Sequence, residues 1–416
     1  MSKHANIIPA SQHGLKADDF DQRAVSVVRR LQQDGYAAFL VGGCIRDALC
    51  GLTPKDFDVA TDATPEEAKA VFKRNCRLIG RRFRLAHVHF GRDVIEVATF
   101  RGNGKVHESE TGRLITENVY GPMHEDAARR DFSVNAMYFD PSDQTIHDYH
   151  QGFEDVAQKS LRLVGEPAAR YREDPVRLLR AVRFSAKLNF QMEPATLAPV
   201  NELGHLLDDV PAARLFDESL KLFMKGHAQA SFERLIQHNL LRHLFPDLVP
   251  ALNNASDEGL MDMLNASMAN TDSRIAVGKP TTPAFLFAVL LWPALQQRTA
   301  RNRDKGMKPI PAAEHAADRV ISRQVGQIAI PRRFSVPMRE IWSLQSRFTS
   351  RRGKRAQRLY AHPRFRAAYD FLLLRAVADP SLMELADYWT DLQELSPEER
   401  QDLLSSPGQR RSGGAG

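Results

Sequence analysis

The segment Leu40–Ala60, LVGGCIRDALCGLTPKDFDVA, constrains this chain more than any other. An apolar run from Ala37 to Val41 stops at Gly42-Gly43, a helix follows and ends near Gly51, and Phe57 to Ala60 reads as a second strand. Side chains two apart on a strand share a face, so Asp56 and Asp58 are expected to project together. Two carboxylates that close repel unless something neutralises them. A divalent cation does so, and hard oxygen donors suit magnesium. Glycines at 42 and 43 let the backbone approach phosphates, and Arg46 offers a fork of donors to phosphate oxygens. The pattern points to phosphoryl or nucleotidyl transfer. A bland alternative makes Gly42-Gly43 a tight turn and Lys55, Asp56 and Asp58 solvated loop charges. The full spacing, GGxxRD followed by DFD in an alternating apolar context, argues against it. There is no GxxxxGK[ST] motif, so P-loop chemistry is not expected.

A third carboxylate often completes such a metal clamp. Glu96, in Val94-Ile95-Glu96-Val97-Ala98, faces away from Ile95 and Val97. Asp131 follows Arg129-Arg130 and precedes an apolar-flanked Asn135. Spacing alone leaves both open, and Arg129-Arg130-Asp131 also reads as a surface ion-pair cluster. A further constellation is YREDPVRLLR, Tyr171 to Arg180. Asp174-Pro175 has the form of a helix start, and Glu173, Arg177 and Arg180 share one face. An acid and an arginine on a rigid helix can read a base edge, or can simply form intrahelical ion pairs.

The chain has 416 residues, with a net charge of +6. From Pro331 to Arg366, ten Arg and one Lys face one Glu, so this segment carries +10 and the remainder −4. A localised basic patch of that size suits a polyanion. The longest apolar run, Pro283 to Leu295, is too short to span a bilayer and reads as a buried helix. The N-terminus lacks the shape of a signal peptide, so a cytoplasmic location is expected. Cys44, Cys50 and Cys76 form neither a disulfide framework nor a metal pair, and are expected to be reduced.

The expected organisation is a flexible arm (1–20), a mixed α/β domain (21–155), a helical nucleotide- and RNA-binding region (156–250), a helical, Arg-rich RNA-binding region (251–400), and a disordered tail (401–416). Thr64-Pro65-Glu66-Glu67 reads as a helix start, and strands are expected at His87–Phe90 and Val94–Phe100. Residues 102–122 read as a flexible loop.

Taken together, LVGGCIRD, KDFDVAT, RRDFSVNAM and REDPVRLLRAVRF resemble the motifs of nucleotidyltransferases that extend RNA 3′ ends. These form the class II branch of the polymerase-beta superfamily, which holds bacterial poly(A) polymerases and CCA-adding tRNA nucleotidyltransferases. The resemblance runs from about Phe39 to Phe245. It implies an α+β fold: a polymerase-beta-like head, an all-helical body and a basic helical C-terminal region. It also implies that Asp56 and Asp58 are catalytic metal ligands for two Mg2+ ions, with Asp131 as a third active-site acid in preference to Glu96. Gly42, Gly43 and Arg46 would face the triphosphate of ATP, and Asp174 and Arg177 would read the base. Leu78–Val88, Pro211–Leu220 and the stretches 351–355 and 362–370 resemble the poly(A) polymerase branch. Arg351, Arg352, Lys354 and Arg355 would then hold RNA through its backbone, with Phe348, Tyr360 and Phe365 available to stack on bases. The expected activity is template-independent adenylation of RNA 3′ ends (mRNA, small or decaying RNAs) by a monomer. CCA addition to tRNA is the alternative, and a non-catalytic RNA-binding protein a more distant one.

Overall fold

The computed structural model describes residues 3–80, 84–102, 104, 106–108, 114–116, 119–253 and 258–405. It divides into two compact units, residues 1–177 with 188–203, and 178–187 with 204–416.

The first unit is built on an eight-stranded mixed sheet. Its strands are β1 (Asn6–Ile8), β2 (Ala38–Val41), β3 (Asp58–Thr61), β4 (Cys76–Ile79), β5 (Leu85–Phe90) and β6 (Asp93–Thr99). A separate ribbon, β7 (Val106–Glu108) with β8 (Leu114–Thr116), follows, and β9 (Met137–Asp140) and β10 (Thr145–Asp148) return to the sheet. The order is β1-β10-β9-β2-β3-β6-β5-β4. Only β3 and β6 run parallel within it. Strand alternation divides the buried residues between the two faces. Leu40, Val59, Val97 and Phe139 pack with Ala24, Val25, Val28 and Leu31 of the helix Gln22–Gln33. Phe39, Val41, Ala60, Phe100 and Tyr138 form a smaller cluster on the opposite face. Thr64 caps the helix Pro65–Phe72 in a reciprocal box with Glu67, as its sequence predicts.

The N-terminal segment differs from the expected flexible arm. Its β1 pairs with β10, Ile8, Ala17 and Phe20 are buried, and the Phe20 ring lies 4.7 Å from that of Phe139. An edge strand of three residues is too short to show a period. The ribbon β7–β8 likewise lies within the expected loop 102–122. Arg81, Arg82 and Phe83, part of one recognised stretch, lie outside the described residues.

Among its described residues the second unit contains helices and no strands. The apolar run becomes two buried helices, Pro283–Leu290 and Trp292–Asp304. Phe223, Phe245, Phe287 and Phe216 contact in series, each pair of ring centroids 6.1–6.2 Å apart. A second cluster gathers Phe348, Leu359, Phe365, Leu372 and Trp389. The helix Pro397–Ser405 extends into the expected tail, and residues beyond 405 lie outside the described set. Among the described residues no helix is long and apolar enough to cross a membrane. All three cysteines are free, and burial, aided by the charge of Asp58, pushes the Cys44 thiol up to about 12.

Candidate active site

Asp58 opens β3 on the face that carries Val41 and Tyr138. Register places Asp58 opposite Glu96 of β6, and Glu96 opposite His87 of β5. Asp58, Glu96 and His87 therefore form one cross-sheet row, with Nε2 of His87 3.6 Å from Oε1 of Glu96. Asp56 lies just before the strand rather than on it. The Asp58 side chain keeps contact with solvent while protein crowds around it. That partial burial raises its proton affinity above the usual carboxylate range. The charge of Glu96 adds to the rise, Arg130 opposes it, and Asp56 contributes further.

The glycine turn is held from below. Gly42 adopts φ 81° and ψ −125°, a conformation that side chains disfavour, and its N–H donates to the carbonyl of Met137. A Cβ there would meet Nη1 of Arg130 at 3.4 Å. Arg130 is itself fixed: Nη2 donates to Oδ2 of Asp126 at 3.1 Å, and Nε to the Tyr138 hydroxyl at 3.2 Å. The Tyr138 hydroxyl donates in turn to Asp126 at 2.6 Å. This cation sits close enough to Gly42 and Asp58 to act on both, although a surface ion-pair cluster was one reading of its sequence context.

Arg46 does not present the outward fork expected from its motif. Its side chain is only 4% exposed. Nε and Nη2 donate to Oδ1 of Asp47 at 2.9 and 2.6 Å, and Nη1 donates to Oδ1 of Asn135. Asn135 donates from Nδ2 to Oδ1 of Asp131 at 3.1 Å, and the Phe132 N–H donates to the same oxygen at 2.9 Å. Arg46, Asn135 and Asp131 thus belong to one connected network, and a Cβ at Gly43 would lie 3.4 Å from Nη2 of Arg46. Asn135 was visible in the sequence only as a polar residue between apolar ones.

The Asp174 region joins this network through Arg170. Nη2 of Arg170 donates at 2.8 Å to the carbonyls of both Arg129 and Arg130, fixing the turn before Asp131. Nη1 of Arg170 and Nη1 of Arg177 both bind Oε2 of Glu173, at 2.6 and 2.7 Å. Glu173 and Arg177 do form an ion pair, but it joins two successive helices rather than lying within one as the spacing predicts. Asp174 stands between the helices Pro167–Glu173 and Val176–Leu188, and its carbonyl accepts from the Arg177 N–H.

Among the described residues no three His, Cys, Asp or Glu side chains gather as a metal cage. Magnesium does not require one, because it keeps waters and takes one or two carboxylates together with substrate phosphates. Asp58, crowded by the like charges of Glu96 and Asp56, is a hard-oxygen site that a divalent cation would relieve. The donor set fits.

In the second unit, Arg351 and Arg352 lead into the helix Gly353–Tyr360, which carries Lys354 and Arg355. Arg352, Lys354, Arg355 and Arg358 are exposed. Arg351 is tied to Glu384 at 2.7 Å and lies over the Tyr388 ring. Two of the three expected stacking aromatics are buried and the third, Tyr360, is half-buried. Phe348 is 0% and Phe365 7% exposed, both packed around Trp389, and Tyr360 is covered by Arg400.

Three family models match in succession: "Poly A polymerase head domain" over residues 38–162, "Probable RNA and SrmB- binding site of polymerase A" over 189–252, and "Polymerase A arginine-rich C-terminus" over 305–414. The fold resembles that of the Bacillus stearothermophilus CCA-adding enzyme in complex with CTP, with a TM-score of 0.60, 22% identity and coverage of 94% of this chain and 89% of the other. Head and helical body together define a nucleotidyltransferase. The chain is 42% identical to Poly(A) polymerase I of Salmonella typhi over 98% of its own length and 91% of the relative. A CCA-adding enzyme of Streptococcus uberis is 33% identical, over 59% of each chain. The chain belongs to the poly(A) polymerase I family.

Proposed function

We propose that the protein adds AMP from ATP to RNA 3′-hydroxyls without a template. The observation that carries this reading is the sequence likeness to a poly(A) polymerase I, continuous from the sheet to the arginine-rich C-terminus; the sequence likeness to the CCA-adding enzyme of Streptococcus uberis covers 59% of the chain. The 3′-hydroxyl loses its proton to solvent as its oxygen forms a bond to the α-phosphorus, the bond from that phosphorus to the bridging oxygen breaks, and pyrophosphate leaves. Asp56 and Asp58 would hold two magnesium ions, which when bound supply charge neutralisation at the attacking and leaving oxygens. Asp58 is anchored by the β3 register, so its carboxylate is held in place before substrate arrives. Gly42 and Gly43 admit the triphosphate close to the backbone. Arg46 supports that turn from within, and the Arg130 cation stands beside it. Asp131, oriented by Asn135, completes the acidic site. Asp174 and Arg177 face the base, and Arg351, Arg352, Lys354 and Arg355 hold the RNA backbone. The enzyme works in the cytoplasm as a monomer.

The test is extension of a generic RNA and of a tRNA lacking CCA, with ATP or CTP singly and together. Long A tracts on the generic RNA with ATP alone are expected. Addition of C, C and A that stops on tRNA would replace this reading with CCA addition, and RNA binding without turnover would make the protein a non-catalytic binder. Asp56→Ala and Asp58→Ala should each abolish AMP incorporation while keeping the wild-type melting behaviour. Full activity in either variant would remove that residue from the site.

A further inference from the structure

A cleft of about 760 Å³ opens in the helical unit between the helices Glu258–Ala276, Pro283–Leu290 and Phe365–Ala378. That volume is in the range of small-molecule and nucleotide sites. Arg274, Lys279, Arg364 and Arg366 line it, against one carboxylate, Asp370. Arg366 holds Asp370 at 3.0 Å and Arg364 holds Glu340 at 3.0 Å, so the cations are spaced rather than collapsed on one acid. Between them the wall is apolar: Phe285, Leu373 and Val377 line the cleft, and the last two are 37% and 47% exposed. The polar lining includes Asn270 and Ser267. Ser267 is only 1% exposed, and its Oγ finds no hydrogen-bond partner among the described residues.

We infer that this cleft seats a nucleotide unit of a single RNA strand. The inference rests on the RNA-extending function proposed above. Spaced cations at the mouth suit phosphates on either side of one nucleotide. An apolar wall suits a base face, and hydroxyl and amide groups suit ribose and base edges. An acidic peptide would satisfy the cations but offers no flat ring to cover the apolar wall of Phe285, Leu373 and Val377.

The test uses the full chain and a fluorescein-labelled oligoadenylate in anisotropy titrations at several salt concentrations. Lys279 and Arg364 are exposed, so Lys279→Gln/Arg364→Gln should fold normally. Two lost phosphate contacts should make the slope of log affinity against log salt shallower by about 1.4 and weaken binding about tenfold at moderate salt. Ser273→Trp, an exposed position on the cleft wall, should weaken binding by filling the space with the charge unchanged. Wild-type affinity and salt slope in both variants would overturn the inference. A loss of ATP affinity with oligoadenylate affinity intact would show that the cleft takes a free nucleotide, and would overturn it too. Lost binding of polyglutamate with RNA binding intact would make it a site for an acidic protein, with the same consequence. If the wild-type protein fails to extend RNA but the variants still lose strand affinity, the cleft assignment stands and the proposed activity falls.

Discussion

Asn135 shows how much of the site depends on a residue that makes no claim in the sequence. Its amide joins the buried Arg46 to Asp131, so replacing it strands polar groups on both sides. Asn135→Leu should therefore destabilise the protein by about 2–3 kcal/mol, the cost of unsatisfied buried groups. It should also lower AMP transfer more than it lowers ATP affinity. Urea unfolding and steady-state kinetics check the two parts. Gly42 and Gly51 offer an internal comparison. Both have positive φ, but a Cβ at Gly51 would enter open space whereas one at Gly42 would come into contact with Arg130, and the Gly42 φ and ψ lie far from any conformation that side chains favour. Gly51→Ala should cost about 1 kcal/mol. Gly42→Ala should cost up to about 3 kcal/mol and impair activity as well. Equal costs with equal activity would mean that the Gly42 turn carries no special geometry. Asp58 was legible because a DFD pattern in an apolar context fixes its face. Its partner Glu96 was only one of two candidates, since the parallel pairing of β3 with β6 spans the intervening β4 and β5 and leaves no local signal.

Gly152 is the contact point between two elements beneath the site. A Cβ there would lie 2.3 Å from the carbonyl oxygen of Ser133, a backbone atom that cannot swing aside. Gly152→Ala should push the turn Ser133–Asn135 away from the helix Gly152–Ala157. A loss of about 1–3 kcal/mol, as for other overpacked positions, is expected, together with reduced turnover. Part of the pH response belongs to the β1–β10 edge, beside that of His227 and His238 in the helical unit, whose proton affinity burial also lowers. Burial holds His13, His147 and His150 below the usual histidine range. A histidine whose folded pKa is depressed contributes stability above its unfolded value near 6.5, and that stability is lost as pH falls below it. Each can contribute at most about 1.4 kcal/mol per pH unit. The protection factors of β10 amides, corrected for the pH dependence of intrinsic exchange, should therefore fall between about pH 7 and about pH 5.5, and less so in His147→Phe. An identical fall in that variant would remove His147 from the response. The β2 and β3 strands and the capped helix at Pro65 were readable to within a residue or so, because period, caps and turns agree locally. The N-terminal edge was not, because its three-residue strand gains order only from β10.

At the scale of the whole chain, the arginine-rich region is part of a folded body rather than an appended tail. Trp342 donates from Nε1 to the Ala288 carbonyl at 3.0 Å, Gln324 donates to the Leu244 carbonyl at 2.6 Å, and the Phe334 ring lies against Phe216. A truncation after Lys308 would remove all three and expose the Phe216–Phe287 contact. It should unfold the helical unit and so reports nothing specific about RNA. Of the tryptophans Trp292, Trp342 and Trp389, only Trp292 survives this truncation, and a red shift of its emission would report the unfolding. Charge reversal on the exposed face of the helix Gly353–Tyr360 separates binding from folding. Lys354, Arg355 and Arg358 are exposed, while Ala356 and Leu359 fix the helix to the core. The triple variant Lys354→Glu/Arg355→Glu/Arg358→Glu should keep the wild-type fluorescence and melting point. If all three contact RNA phosphates, the salt slope for a single strand should become shallower by about 2. The buried Phe348 and Phe365 add no base stacking here, so the loss should be purely electrostatic and should shrink toward zero in high salt. A loss of affinity that persisted in high salt would contradict that, and would point instead to direct contacts with the bases.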